Sequence, residues 1–393
     1  MVRKSMLSDR DPAIFHHRRR DWRFGGTVYQ VFVDRFSPSR RLAEKRTHYA
    51  APRQLLEWGD KVPARGSFLQ EERVTRGETV FYGGDLDSLA GRLEYLQDLG
   101  IDTIYLNPIF EAFTNHKYDT NDYWKIDPQY GSVGELRELA RALHERGMRI
   151  MLDGVFNHVG RRSSLFQAAL SGNGAPERQM FTFSEDLPHG YLSWRNVANL
   201  PELRLENPHV REMLYGDGGV IPYYLQEVGI DGWRLDVAPD IGHEFLADLR
   251  EAAHRAADHS VVIGECWNYP EEWLDVLDGI LNMHARSIVL KLITGELSPV
   301  MAGRLMERMI ADSGIEGILR SHLVLDNHDM PRLATTVADE AARRLARIAQ
   351  IMLPGCPVLY YGSEIGMNGG ADPMNRGPMR WDLVNEENSE LRL

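Results

Sequence analysis

The chain has 393 residues, 43% hydrophobic and 26% charged, with 35 glycines and a formal net charge of −12. At roughly 150 residues per domain this length fits two to three domains, or one α/β barrel with an insertion. The apolar content supports a large core and excludes a disordered, collagenous or disulfide-stapled chain. The acidic balance argues against a nucleic-acid partner, whose phosphates need clustered Lys and Arg.

The basic run 16–20 (HHRRR) reads as a solvated surface. The N-terminus, MVRKSMLSDRDP, holds no apolar segment of the signal-peptide kind. No stretch reaches about 18 uncharged apolar residues, so no membrane partner is expected. Cys266 and Cys356 form no C-x-x-C pair and lie in apolar runs, as reduced core residues would. The expected location is the cytoplasm.

In chain order, strand-like runs occupy 27–36, 102–110, 148–156, 231–238, 261–267, 278–282, 322–329 and 357–364. Helix-periodic segments lie between them, at 88–100, 133–147, 244–257 and 338–353 among others. Several runs are apolar without alternation, the pattern of a strand covered on both faces. Eight strands separated by helices predict the α/β class and a (β/α)8 TIM barrel. Intervals 37–80 and 158–207 are too long for plain connections, so they are expected to build the rim of a site. The expected organisation is an N-terminal extension over 1–26, a first barrel part over 27–157, a small inserted domain over 158–207 and a second barrel part over 208–393.

Active sites of such barrels lie at the C-terminal strand ends. Here those ends carry Asp153, Asn157 and His158, then Arg234 and Asp236, then Glu265 and Trp267, and finally Asp326, Asn327, His328 and Asp329. Any one could cap a helix or sit in a satisfied ion pair; four loaded ends together point to catalysis. Arg234 and Asp236 are two apart and share a face, so the guanidinium is expected to keep Asp236 ionised as a nucleophile. Glu265, facing Asp236 and Asp329, is expected to be raised and protonated as a general acid. Two carboxylates shifted in opposite directions suit glycoside hydrolysis through a covalent intermediate. A metal site is the competing reading, but no H-x-H or H-E-x-x-H pair exists and Arg234 opposes a cation.

LDGVFNH (152–158), GWRLDVA (232–238), GECW (264–267) and LDNHD (325–329) resemble the four ordered signature regions of the alpha-amylase family of glycoside hydrolases. The stretch 81–160, with NHKYDTNDYW, and LPELRLENP (200–208) are similar to its neopullulanase, cyclomaltodextrinase and maltogenic amylase branch. The resemblance runs from about Thr27 to Asp382. It implies that Asp236 is the nucleophile, Glu265 the acid/base and Asp329 the stabiliser of the transition state. It also implies that Arg234, His158 and His328 surround the sugar and that Tyr118 stacks on it. Trp267 would lie under the leaving-group side, and Asp372 with Arg376 would bind the next sugar toward the non-reducing end. Core packing for Tyr118 and Trp267, and a surface ion pair for Asp372 and Arg376, are the structural alternatives.

The sequence departs from the branch in places. Only about 26 residues precede the first strand, and the chain stops at Leu393 where an eighth helix should begin. The usual N- and C-terminal β domains are therefore expected to be absent, leaving apolar surface exposed and self-association as an expectation. The resemblance implies a calcium site in the loop after the first strand. That loop reads SPSRRLAEKR here, leaving Gly83 and Asp85, with Asn157 retained and Asp240 where the family has His. No cofactor is expected to be required. Arg204 stands where the fifth region usually has Asn. The implied function is a retaining α-glucan hydrolase acting on α-1,4 bonds, and on α-1,6 bonds too, in malto-oligosaccharides, cyclodextrins or starch. An α-glucan transglycosylase uses the same intermediate. A non-catalytic binding subunit is a third reading, against which Asp236, Glu265 and Asp329 stand.

Overall fold

The computed structural model describes residues 12–172 and 174–384. Residues 1–11, part of the signal-peptide reading, and 385–393, where the incomplete last helix was expected, lie outside them. Eight short strands follow one another: β1 (Val28–Val31), β2 (Thr103–Leu106), β3 (Arg149–Gly154), β4 (Gly232–Leu235), β5 (Val261–Gly264), β6 (Gly279–Ile280), β7 (His322–Val324) and β8 (Cys356–Tyr360). They pair in parallel in the order β6-β5-β4-β3-β2-β1-β8-β7. A parallel bridge from Leu281 to His322 joins the two edges and closes the barrel.

All eight expected strands are present, shorter than their apolar runs. The first stops because the chain turns into a helical turn, Val33–Phe36, around buried Asp34. That carboxylate accepts the backbone N–H groups of Tyr82 (3.0 Å) and Gly83 (2.9 Å). The segment expected as one helix over 88–100 starts earlier, capped by Asp85, and divides at Gly91 into Leu86–Ala90 and Leu93–Asp98. Among the described residues no helix separates β5 from β6; turns around Pro270 and Trp273 fill that gap. Val133–His144 shows the expected amphipathic pattern. Ser132 caps it, Leu136, Leu139, Ala140 and Leu143 are buried, and Gly147 follows at φ 75°.

Alternation along the strands sorts the core into two layers. Val28, Tyr105, Met151, Ile263, Val324 and Val358 cluster together, while Tyr29, Ile104, Ile150, Leu152, Trp233 and Val262 join the cluster shared with the helices. Each buried aliphatic side chain contributes roughly 1.5–3 kcal/mol. Cys266 and Cys356 are buried and free. The long intervals form a rim: 37–80 carries a hairpin of Phe68–Leu69 with Val74–Thr75, and 158–207 carries helix Ser164–Leu170 and three isolated antiparallel bridges. No helix among the described residues is long and apolar enough to cross a membrane.

Candidate active site

The inward rows of the barrel continue past the apolar layer into polar residues. Met151 is followed two places on by Asp153, Gly232 by Arg234 and Asp236, and Ile263 by Glu265. Strand geometry alone therefore brings Asp153, Arg234, Asp236 and Glu265 together at one end. Arg234 Nη1 lies 2.7 Å from Asp153 Oδ1 and 3.0 Å from Asp236 Oδ1, while Nη2 lies 2.9 Å from Glu265 Oε2. One buried guanidinium faces three carboxylates.

The direction for Asp236 is opposite to the expected lowering, and burial rather than the pairing sets it. Burial pushes its carboxyl well above the ordinary range; Arg234 opposes this, and Glu265, Asp153 and Asp329 reinforce it. Asp153 is also raised by burial, against Arg234 and the hydroxyls of Tyr105 and Tyr118. Residue spacing identified the partner of Asp236 but not its two competitors.

Glu265 accepts on both oxygens: the Val237 backbone N–H reaches Oε2 at 3.1 Å and Trp267 Nε1 reaches Oε1 at 3.2 Å. Val237 adopts a left-handed backbone (φ 42°, ψ 46°), which costs a branched residue roughly 1–2 kcal/mol. Trp267 is 54% exposed, which removes the core-packing alternative for it.

Behind the carboxylates runs a directed hydrogen-bond chain. Gln30 Nε2 donates to His328 Nδ1 at 2.8 Å, so neutral His328 donates from Nε2 to the Tyr118 hydroxyl at 2.6 Å. Tyr118 in turn donates to Asp153 Oδ2 at 2.9 Å, and its ring stacks on His328 at 5.4 Å and 11°. Burial holds His328 well below the ordinary histidine range, with Arg376 and Arg234 adding to the effect. Burial also lowers His158 to about 3, so this ring is neutral too. It stacks on Trp194 at 5.6 Å.

Arg376 bridges two acids, with Nη2 3.2 Å from Asp329 Oδ1 and Nη1 3.1 Å from Asp372 Oδ1. A cavity of about 960 Å³ opens over this assembly, lined by Tyr118, His158, Asp236, Glu265, Trp267, Asp329, Asp372 and Arg376. Arg234 and His328 sit immediately behind them. The ten expected residues thus converge, and Asp372 with Arg376 belongs to the cavity wall rather than to a remote surface.

Other lining residues were missed. Arg65, Phe68 and Glu78 come from the 37–80 loop, and Trp194, Arg195 and Asn199 from 158–207. Arg65 pairs with Asp372 at 2.9 Å and Glu72 pairs with Arg162, so the 37–80 loop is tied to both neighbouring loops. Gln30 and Asn107 were findable as polar members of inward strand rows; the loop residues carry no periodic signal.

The calcium donors that the resemblance left do not fit a metal. Asp85 Oδ1 accepts Ser88 N–H at 2.8 Å, and Oδ2 accepts Lys45 Nζ and Ser39 Oγ, both at 2.5 Å. The Gly83 carbonyl accepts Ser39 N–H at 3.2 Å. Asp240 accepts from Trp194 Nε1 at 2.9 Å, and Asn157 Nδ2 lies 3.5 Å from His158 Nδ1. A buried ammonium already occupies the cation's side of Asp85.

The family described as the alpha-amylase catalytic domain matches residues 30–390. A cyclomaltodextrinase of Geobacillus thermopakistaniensis is 35% identical over 94% of this chain and 61% of its own length. An intracellular maltogenic amylase of Bacillus subtilis is 33% identical over 95% and 60%, and neopullulanase 2 of Thermoactinomyces vulgaris 34% identical over 92% and 60%. The chain thus spans about 60% of the length of these relatives. Among solved structures, the cyclic alpha-maltosyl-(1→6)-maltose hydrolase of Arthrobacter globiformis superposes with TM-score 0.82 at 30% identity, over 92% of this chain and 79% of that one. The type III pullulan hydrolase of Thermococcus kodakarensis gives 0.83 at 30% identity, over 93% and 68%.

Proposed function

The chain belongs to the alpha-amylase family, and from that premise we propose that it is a retaining α-glucan hydrolase. Its substrates are malto-oligosaccharides, cyclodextrins or starch, cut at α-1,4 bonds and also at α-1,6 bonds. The names of the relatives, which include a cyclomaltodextrinase, a neopullulanase and a hydrolase of a (1→6)-linked cyclic maltoside, support this range. One observation carries the mechanism: Asp236 and Glu265 share the Arg234 guanidinium. Adjacent nitrogens of one planar group favour the short carboxylate separation of retaining enzymes, about 5–5.5 Å, over the 6.5–9.5 Å of inverting ones.

Arg234 anchors Asp236 through Oδ1, leaving Oδ2 to attack the anomeric carbon. Glu265 protonates the leaving oxygen, then accepts a proton from the incoming water. The three carboxyl groups around Arg234 share its single positive charge, and an oxocarbenium-like transition state brings a second positive charge beside them. Tyr118 and His158 line the sugar's seat, Trp267 the leaving-group side, and Asp372 with Arg376 the next sugar. Asp329 stabilises the positive charge. No metal is assigned to the loop after β1, where Lys45 and Ser39 hold the candidate donor Asp85. A cytoplasmic location is in keeping with the intracellular relative.

Glu265→Gln is expected to lose on the order of a thousandfold in maltoside cleavage. It should still react with maltosyl fluoride, whose leaving group needs little protonation. The resulting sugar ester on Asp236 should accumulate and be visible by intact mass, and Asp236→Asn should form none. An adduct on Asp329, or an inverted first product, would overturn the assignment. Products longer than the donor would identify a transglycosylase instead.

A further inference from the structure

Among the described non-glycine residues with positive φ, Val237 alone is β-branched. It directly follows Asp236, and the backbone it strains points its N–H at Glu265 Oε2, 3.1 Å away. Strain of this kind persists where surrounding structure enforces it, and it marks functional positions. The two oxygens of Glu265 are consequently unequal. Oε2 accepts the Val237 N–H and lies 2.9 Å from the charged Nη2 of Arg234, whereas Oε1 accepts from the neutral Trp267 Nε1.

We propose that Val237 is a positioning residue whose strained amide, together with Arg234, reserves Oε2 as an acceptor, so that Glu265 carries and transfers its proton through Oε1. This rests on the reading of Glu265 as the acid/base. An oxygen that accepts a backbone N–H beside a guanidinium's positive charge favours the anionic form, so the proton is better placed on the other oxygen. In the first step the Oε1 proton passes to the glycosidic oxygen as its bond to C1 breaks, the electron pair staying on that oxygen. Asp236 Oδ2 forms the new bond to C1. In the second step water attacks C1 and gives a proton to Oε1, and the ester bond breaks with its electrons returning to Asp236.

The charged and titratable groups around Glu265 are Arg234 and Asp236 on β4, Cys266 beside it, Tyr105 on β2, and His328 with Asp329 after β7. Among the described residues the ion pair recorded at Oε2 is with Arg234. The Val237 amide is therefore a direct reporter of that oxygen's charge.

The test uses enzyme labelled with [15N]valine, with the Val237 cross-peak assigned by its absence in Val237→Gly. The peak is expected to move with pH at the midpoint of the alkaline limb of kcat/KM on a maltoside, and to stay fixed in Glu265→Gln. An amide that does not respond across that limb overturns the proposal. Replacing the 237 amide by an ester removes the donor; the alkaline limb should rise by about one pH unit, since a lost donor disfavours the ionised carboxylate. Val237→Gly keeps the N–H and adopts this backbone freely, so its limb should match the wild type. An unmoved limb in the ester variant, or a limb moved as far in the glycine variant, would also overturn it. Full maltoside cleavage by Glu265→Gln would instead sink the underlying assignment.

Discussion

The two ends of the barrel are built from the same residue types and behave differently. At the N-terminal end, Asp102 Oδ2 accepts Thr27 N–H at 2.7 Å, Asp231 Oδ2 accepts Ile150 N–H at 2.9 Å and Asp278 Oδ2 accepts Val262 N–H at 2.8 Å. In each case an aspartate preceding an even-numbered strand ties down the odd-numbered strand before it. His144 and His254 add a second donor, each at 2.8 Å, to Asp231 and Asp278. Every carboxylate there has its own partners. At the C-terminal end one arginine serves three carboxylates, and Asp236 is pushed well above its ordinary range by burial and by its neighbours. A matched charge locks the structure; an unmatched one is available for chemistry.

The sharpest way to break this comparison is to change one member at each end. Arg234→Lys cannot fork to three acids, so kcat/KM is expected to fall on the order of a thousandfold. Asp231→Asn should leave kcat nearly unchanged and cost about 1–3 kcal/mol of stability, read from denaturant unfolding. Comparable losses of activity from both variants would erase the distinction. A second matched pair lies in the first loop: Lys45→Ala strands Asp85 in a buried site and should cost about 3 kcal/mol. The unaltered enzyme should keep its activity through prolonged EDTA treatment, and a loss restored by calcium alone would contradict the internal-cation reading.

A smaller effect sharpens the account of the N-terminal end. His322, which opens β7, is held neutral by burial at about 4. As pH falls from about 6.5 the unfolded chain takes up a proton that the folded one refuses, so stability drops by at most ~1.4 kcal/mol per pH unit until about pH 4. The stability gap between wild type and His322→Phe should therefore shrink over that window in unfolding titrations. The smallest effect concerns assembly. Helix Glu340–Met352 exposes Leu345, Ile348, Ile351 and Met352. Light scattering is expected to show concentration-dependent self-association, weakened by Leu345→Glu with Ile348→Glu.

Strand order and the polar residues closing each strand were legible because alternation in a closed sheet is a local rule. Arg234 and Asp236 had to share a face, and Glu265 had to follow the inward row of Ile263. The direction of the Asp236 shift was not legible, since it depends first on burial and then on Glu265 and Asp153 arriving from β5 and β3 beside the same guanidinium. Nor was the role of Lys45, which meets Asp85 across a loop whose path no periodicity dictates. The ends of the first strand and of the 88–100 helix were misjudged for a similar reason. Hydrogen bonds to Asp34 and the break at Gly91, not hydrophobicity, set those boundaries.

The Lys45 ammonium has a consequence for how the protein meets its surroundings. A bound ion stabilises a fold by mass action, so its contribution rises and falls with the free concentration of that ion. A cation tethered by its own backbone has no off-rate into bulk solution and no competitor for its occupancy. The part of the loop's stability that comes from Lys45 on Asp85 therefore does not vary with the free concentration of divalent ions. It owes this independence to one covalently attached side chain resting on Asp85.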